Sequence, residues 1–355
     1  MPQTDARLAL IHDWVSTGLG LQPHAIEPAS ADASFRRYFR VFCGGTGSGI
    51  PGSGRTFIVM DAPPGKEDVR PYLKVSHLLE SLGVHVPHVH ETDVARGLLL
   101  LEDLGSTLYL ARLHAGDDPE SLYGDALKAL ADIQVKGQGA AAELAPYDRE
   151  ALLREMGLMP EWFCTRHLGL ALPAADQAAI ANAFEFLIAE AALQPKVFVH
   201  RDFHSRNLMV APAGNPGVID FQDAVCGPLG YDLVSLLKDC YISWPRERVE
   251  RWVRGYRALL VSRGGPAGRD DRQFLRWFDL IGVQRHIKVL GIFARLWYRD
   301  GKAGYLRDLP LTLEYVRDTC RRYPELAGLS KLVEQHFVPG LERANARVAA
   351  EAQPA

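Results

Sequence analysis

The sequence predicts an α+β protein in two lobes: a small antiparallel sheet with helices, followed by a larger, mainly helical lobe. Three observations predict it. Aromatic and β-branched residues are concentrated in short runs within roughly the first hundred positions. Beyond Asp103-Leu104-Gly105 the apolar residues take up helical spacing. A length of 355 residues, at roughly 150 per domain, suggests two domains or one large two-lobed unit.

Residues 5–19 set Leu8, Ile11, Val15 and Leu19 on one helical face. Phe35–Phe42 and Thr56–Met60 read as strands joined by a Gly-rich stretch. A helix over about 67–82 is stopped by Gly83 and Pro87. Val84–His90 and Gly97–Glu102 read as further strands around the turn-like Glu91-Thr92-Asp93. Gly105 stands where a hinge is expected, giving an N-lobe at 1–104 and a C-lobe at 105–355. In the second lobe, helices are predicted over 106–114, 119–136, 148–168, 174–193, 231–243, 245–263 and 271–299, with a strand pair near 196–221. No internal repeat is present.

Composition narrows the function classes. Hydrophobic residues at 47% and charged residues at 23% suit a globular core and exclude a disordered, collagen-like or coiled-coil chain. Lys+Arg 40 against Asp+Glu 43 leaves a net charge of -3, so neither nucleic acid nor a membrane surface is an expected partner. Five widely spaced cysteines without a CxxC pair point to a reducing compartment. The N-terminal residues lack a signal-peptide pattern, and the apolar run Leu98–Leu101 is far too short to span a bilayer. A cytoplasmic protein is the expectation.

The chemistry is concentrated in residues 197–223. Asn207 directly precedes one short strand and Asp220 directly follows the next, with Asn215-Pro216-Gly217 as the turn between. In an antiparallel hairpin these two residues become neighbours at one end. A carboxylate beside an amide oxygen is a hard-oxygen pair suited to Mg²⁺. Asp202 lies five residues before Asn207 and can accept a proton from an incoming hydroxyl. His200-Arg201-Asp202, four residues, Asn207, then Asp220 after a strand is the layout of a kinase catalytic loop. Three such fixed positions arise by chance about 0.04 times in a chain of this length. Farther on, Asp232 opens an apolar helix and reads as its N-cap, with a second role bracing the catalytic loop.

These residues resemble the aminoglycoside phosphotransferase/choline kinase superfamily, and within it the bacterial N-acetylmuramate/N-acetylglucosamine anomeric kinases of cell-wall recycling. The resemblance runs through Ala33–Arg40, Val59–Pro64, Leu100–Gly105, the catalytic segment and Gly282–Gly291. It implies a bilobal protein-kinase-like fold, with ATP and Mg²⁺ as cofactors and an amino sugar as acceptor. Asp202 then resembles the base that addresses the acceptor hydroxyl, and Asn207 and Asp220 the Mg²⁺ ligands. Ser34, Arg37, Met60, Glu102 and Leu104 are the implied nucleotide contacts. His204, Asp223, Arg285 and Lys288 are the acceptor candidates, and His200 and Asp232 the structural ones. The implied reaction is phosphorylation of the anomeric hydroxyl. Alternatives are another small-molecule kinase of the superfamily, acting on an aminoglycoside, choline or another sugar, or a nucleotide-binding module without turnover.

The chain departs from the kinase pattern twice. No G-x-G-x-x-G opens the first hairpin, and Thr56–Asp61 lacks the strand lysine that would pair the α/β-phosphates. Arg36 or Arg37 can supply that charge. Two other features are decoys. The glycines of 43–54 join strands without opening a helix, so they read as a hairpin connection. His85, His88 and His90 have no further ligand motif to complete a zinc site. Last, Arg285, Lys288, Arg295 and Arg299 fall within an arc of about 80° on one helix. That face reads either as solvated or as a basic wall suited to the lactyl carboxylate of N-acetylmuramate and ill suited to a polycation.

Overall fold

The computed structural model describes residues 5–31, 35–44 and 56–351. In chain order the strands are β1 (Pro23–Ala31), β2 (Arg37–Cys43), β3 (Thr56–Asp61), β4 (Val89–Asp93), β5 (Leu98–Glu102), β6 (Ala145–Pro146), β7 (Lys196–Val199), β8 (Leu208–Met209), β9 (Gly217–Val218) and β10 (Val225–Pro228). The α-helices are α1 (Ala6–Asp13), α2 (Arg70–Ser81), α3 (Tyr109–His114), α4 (Pro119–Lys136), α5 (Gln138–Ala141), α6 (Arg149–Met156), α7 (Ala174–Ala192), α8 (Tyr231–Leu237), α9 (Arg246–Ser262), α10 (Asp271–Asp300), α11 (Leu309–Cys320), α12 (Ala327–Leu332) and α13 (Val338–Glu351). The chain divides into two compact units, Met1–Ala126 with Arg206–Asp223, and Leu127–Ser205 with Ala224–Ala355.

The first unit is built on an antiparallel sheet of order β1-β2-β3-β5-β4. Alternation along the strands sends Phe39, Val41, Phe57, Val59, Leu98 and Leu100 into one core with Ile11, Trp14 and Val15. Each such burial contributes about 1.5–3 kcal/mol. Leu98 to Leu101 are all buried, so both faces of β5 are covered. Asp5 caps α1 by accepting the backbone N–H of Arg7 and Leu8 at 3.1 and 3.2 Å.

The turn before β5 lies later than the sequence suggests. Glu91-Thr92-Asp93 belongs to β4, and Val84–His88 precedes the pairing. Pro87 has no N–H to donate to a ladder. Asp93 closes the true turn by accepting from the backbone and side chain of Arg96 at 2.9 and 2.6 Å, and Gly97 takes φ 70.

The hairpin β8–β9 also belongs to this unit. Its register is Leu208↔Val218 and Met209↔Gly217, and Val210 and Val218 donate to the carbonyls of Thr107 and His85, each at 2.8 Å. A Cβ on Gly217 would stand 2.7 Å from Leu104 Cδ1, so a glycine lets hairpin and strand-end approach.

The second unit is organised around α10, which is buried almost all round from Phe274 to Leu296. Asp270 caps its start through the N–H of Gln273 at 2.8 Å. At Gly291 a Cβ would meet the Leu158 carbonyl carbon at 2.5 Å, so the Met159–His167 segment packs directly on the helix backbone. The predicted helix 148–168 is therefore two pieces, α6 and that π-helical segment. The helix predicted over 231–243 stops at Leu237, because Lys238 turns away to bond Asp279 at 3.0 Å while its carbonyl accepts from His286. A three-stranded sheet, β6-β10-β7, leads the chain out of β7 into His200-Arg201-Asp202.

Candidate active site

In the first unit, the short hairpin fixes Asn207 and Asp220. Ile219 N–H donates to Asn207 O at 3.1 Å, and Asn207 Nδ2 donates to Asp220 Oδ2 at 3.3 Å. Asp220 has a left-handed backbone, φ 63, a conformation a non-glycine residue adopts only when its surroundings hold it. Gln222 Nε2 donates to Asp220 Oδ1 at 2.9 Å, and Arg36 Nη2 lies 3.7 Å from the same oxygen. The following ring, Phe221, is buried against Tyr72 with centroids 4.7 Å apart. The donor chemistry fits a magnesium ion: a carboxylate and an amide side chain in hydrogen-bond contact with each other.

The same unit contains a cavity of about 570 Å³ lined by His85, Glu102, Asp103, Leu104, Gly105 and Ala211–Gly214. Its size is that of a small-molecule site. His85 Nδ1 lies 3.0 Å from the Gly214 carbonyl and Nε2 lies 3.4 Å from Glu102. The end of β5 is anchored nearby, because Arg40 grips Asp103 through two bonds of 2.7 and 3.0 Å and also donates to the Gly105 carbonyl.

In the second unit, β7 delivers the chain into His200-Arg201-Asp202. Asp232 is fully buried and its two oxygens accept the backbone N–H of His200 and Arg201 at 2.6 and 2.9 Å. Burial pushes its carboxyl up to about 7, against the lowering effect of those two bonds. Its predicted capping role is not what the structure shows: Gly230 occupies the N-cap of α8, and no side chain caps it. Asp232 braces the loop instead. Arg201 has φ 79, a second left-handed non-glycine residue. His200 is buried, and its Nδ1 accepts the Asp202 N–H at 3.3 Å.

Burial alone would raise the Asp202 carboxyl, but Lys288, His204, Arg285 and Arg201 outweigh it and hold it down at about 2. Arg285 and Lys288 are themselves buried on α10. Lys288 Nζ reaches Tyr231 Oη at 3.1 Å and Glu155 at 3.3 Å, and Arg285 Nη1 lies 3.6 Å from Cys240 Sγ. The predicted basic arc therefore splits along its length. Arg285 and Lys288 lie beneath the loop, Arg295 is half-buried, and exposed Arg299 pairs with Asp300 at 2.8 Å.

His204 is buried with its ring 5.5 Å from Tyr241 in an edge contact, and an aromatic row continues from Tyr241 through Phe293 to Tyr305 at 6.3 and 5.2 Å. Ser205 is fixed by Asp239, which accepts its N–H and its hydroxyl at 3.0 and 2.5 Å.

The remaining candidates are placed as follows. Glu102 and Leu104 line the cavity. Met60 is buried in β3, paired with Tyr38 and Leu99. Arg37 is bound to Asp61 at 2.6 Å and to Asp5 at 2.5 Å, so of the two neighbouring arginines it is Arg36 that stands beside Asp220. Asp223 is exposed just beyond Phe221. Ser34, and most of the glycine stretch 43–54, lie outside the described residues. Among the described residues no group of three or more His, Cys, Asp or Glu is arranged to hold a metal.

Sequence reasoning missed Glu155, Tyr147 and Asp239. None sits in a motif, and Glu155 lies 46 residues from the arginine it binds. A buried acid on the apolar face of α6 was the one available signal.

Comparisons with known proteins bear on the family and the fold. A family model described as the Phosphotransferase enzyme family matches residues 25–278. A protein of Pseudomonas putida named N-acetylmuramate/N-acetylglucosamine kinase is 43% identical over 345 residues, covering 94% of this chain and 98% of that protein. One of the same name from Pseudomonas aeruginosa is 44% identical, with coverages of 93% and 96%. Among solved structures, the ADP-bound aminoglycoside phosphotransferase APH(2'')-Ib aligns with a TM-score of 0.58 at 14% identity, covering 88% of this chain and 98% of that one. The choline kinase LicA from Streptococcus pneumoniae aligns with a TM-score of 0.58 at 13% identity, with coverages of 88% and 99%. At such identities these structures speak for the fold, which is protein-kinase-like.

Proposed function

We propose that this chain, which belongs to the Phosphotransferase enzyme family, transfers the γ-phosphoryl group of ATP to the anomeric C1 hydroxyl of N-acetylmuramate and N-acetylglucosamine. It is a phosphotransferase acting on an alcohol group of a sugar. The proposed products are sugar 1-phosphates, made in the cytoplasm by a monomer for reuse of cell-wall sugars. The observation that carries the reading is the Asp202 carboxylate, held ionised above a bed of buried cations, in a chain whose relatives are named for these two acceptors.

An Asp202 carboxyl at about 2 is a weak base, so its first task is orientation. It accepts the hydrogen bond of the sugar hydroxyl and aims the oxygen at the phosphorus. The new O–P bond forms as the bridging O–P bond of ATP breaks, and the hydroxyl proton then passes to Asp202 and on to solvent. Residues 1–104 would cover ATP, with the adenine against Glu102 and Leu104. Asn207 and Asp220 would hold Mg²⁺, which when bound neutralises phosphate charge. Arg36 supplies a cation beside Asp220, in a chain that has no strand lysine. His204 would contact the acceptor, with Tyr241 extending its apolar side.

Charge argues against the nearest rival. The side chains acting on Asp202 include Lys288, His204, Arg285 and Arg201, surroundings that do not suit a polycationic aminoglycoside. The test is ATP consumption with N-acetylmuramate, N-acetylglucosamine, kanamycin and choline in parallel. Turnover on the two sugars is expected, and turnover confined to kanamycin or choline overturns the proposal.

A further inference from the structure

Beneath the catalytic loop lies a buried acid that no motif of the sequence marks. Glu155 is on α6, 9% exposed, and three donors from three parts of the second unit converge on it. Arg201 donates from Nη2 to Oε1, the Tyr147 hydroxyl donates to Oε2, and Lys288 Nζ stands 3.3 Å from Oε2. Gln284 on α10 in turn donates to the Tyr147 oxygen at 3.2 Å, and the Arg201 guanidinium lies 5.8 Å from the Tyr147 ring.

The charge balance explains why an acid is needed there. Arg201 and Lys288 are both cations next to Asp202, and Asp202 itself must keep its charge for the acceptor. A buried cation is tolerated when it is paired and hydrogen-bonded. One carboxylate with two oxygens serves both cations. Burial would raise the Glu155 carboxyl, yet Lys288 and Arg201 hold it in its ionised form.

Position matters as much as charge. Arg201 is the residue before Asp202, and its backbone is left-handed at φ 79. A non-glycine residue stays there only when its surroundings over-determine it. Asp232 fixes its backbone N–H at 2.9 Å, and Glu155 fixes the far end of its side chain. Arg201 is thus held at both ends, by a hydrogen bond on its backbone and an ion pair on its side chain.

We propose that Glu155 is a positioning residue for phosphoryl transfer: by binding Arg201 and Lys288 together, it fixes the bearing of the Asp202 carboxylate. The kinetic half of its test rests on the proposed sugar-kinase activity; the structural half does not.

The experiment compares wild type, Glu155→Gln and Glu155→Asp in steady-state kinetics with ATP and N-acetylmuramate, together with amide hydrogen exchange of the 197–206 peptide and thermal unfolding. In Glu155→Gln, kcat is expected to fall about tenfold or more. The KM values for both substrates are expected to stay within about twofold, since an interaction that acts through another residue changes kcat and leaves binding alone. Exchange of the loop peptide is expected to quicken. Glu155→Asp keeps the charge but is one methylene shorter, and is expected to recover part of kcat. Where Glu155→Gln does not fold, Glu155→Asp carries the test alone, with an intermediate kcat and unchanged KM values expected. A folded Glu155→Gln with wild-type kcat and wild-type loop exchange overturns the proposal, as does a loss that appears entirely in KM. A wild-type protein that phosphorylates neither sugar overturns the function reading instead, and loop exchange in the variant still decides the positioning role.

Discussion

Asn207 and Asp220 stand 13 residues apart in the chain and meet at one end of the β8–β9 hairpin, where Asn207 Nδ2 donates to Asp220 Oδ2 at 3.3 Å. Two hard-oxygen side chains so placed can share one divalent cation. Asp220→Ala and Asn207→Ala are each expected to lower kcat by about 10²-fold or more. Chelation of divalent cations should abolish wild-type turnover, and added Mg²⁺ should restore it. An Asp220→Ala protein with wild-type kcat would remove the metal role.

Asp202→Asn is expected to lower kcat by about 10²–10⁴-fold with substrate KM values little changed. With its carboxyl at about 2 in the folded protein, below the ordinary 3.8, Asp202 is ionised throughout the working range. The pH–rate profile should therefore show no acidic limb from this group between about pH 5 and 8. For stability the sign follows from the same lowering. Asp202 favours the folded state above 3.8, and that contribution is lost as pH falls through about 2. Acid titration of unfolding, wild type against Asp202→Asn, checks it.

The two neighbouring arginines should separate cleanly. Arg36 lies 3.7 Å from Asp220, whereas Arg37 is bound to Asp61 and Asp5. Arg36→Ala is expected to raise the KM for ATP by about tenfold, the effect of losing one favourable charge contact. Arg37→Ala should leave that KM within about twofold and lower the melting temperature, since Asp61 is fully buried and loses a partner. The reverse pattern would return the phosphate role to Arg37.

Asp279 is a stability site in the second unit. Buried on α10, it accepts from Lys238 at 3.0 Å, from Arg246 at 2.5 and 2.8 Å, and from the Tyr323 hydroxyl at 3.1 Å. Asp279→Ala takes the carboxylate from buried Lys238 and one of two from Arg246, which keeps Glu250, and is expected to cost about 3–5 kcal/mol. Urea unfolding measures it, and a midpoint within error of wild type would refute the buried-pair account.

Local features of the fold and site were legible in the sequence. The pairing of Asn207 with Asp220 followed from hairpin register, because two short apolar runs about a turn leave few ways to close. Helices α1, α4, α7, α9 and α10 came from apolar spacing; α7 and α9 bury a stripe at that spacing, and α10 is buried almost all round. Where spacing misled, a side-chain contact intervened. Lys238 left α8 for Asp279, and Asp93 closed a turn with Arg96 that composition had put earlier.

What the sequence by itself determined is the family and the local grouping of side chains that the proposed function uses: Asp202 on one loop, with Asn207 and Asp220 at one end of a hairpin. These depend on spacing over a dozen or so residues, a scale on which backbone geometry leaves little freedom. Only the tertiary structure decided which charges meet. It made Asp232 a brace for His200 and Arg201 and no cap, brought Arg36 and not Arg37 to Asp220, and set Glu155 under Arg201 and Lys288. The physical reason is that a buried charge must find its partner wherever packing brings one, and packing joins residues that no local pattern connects.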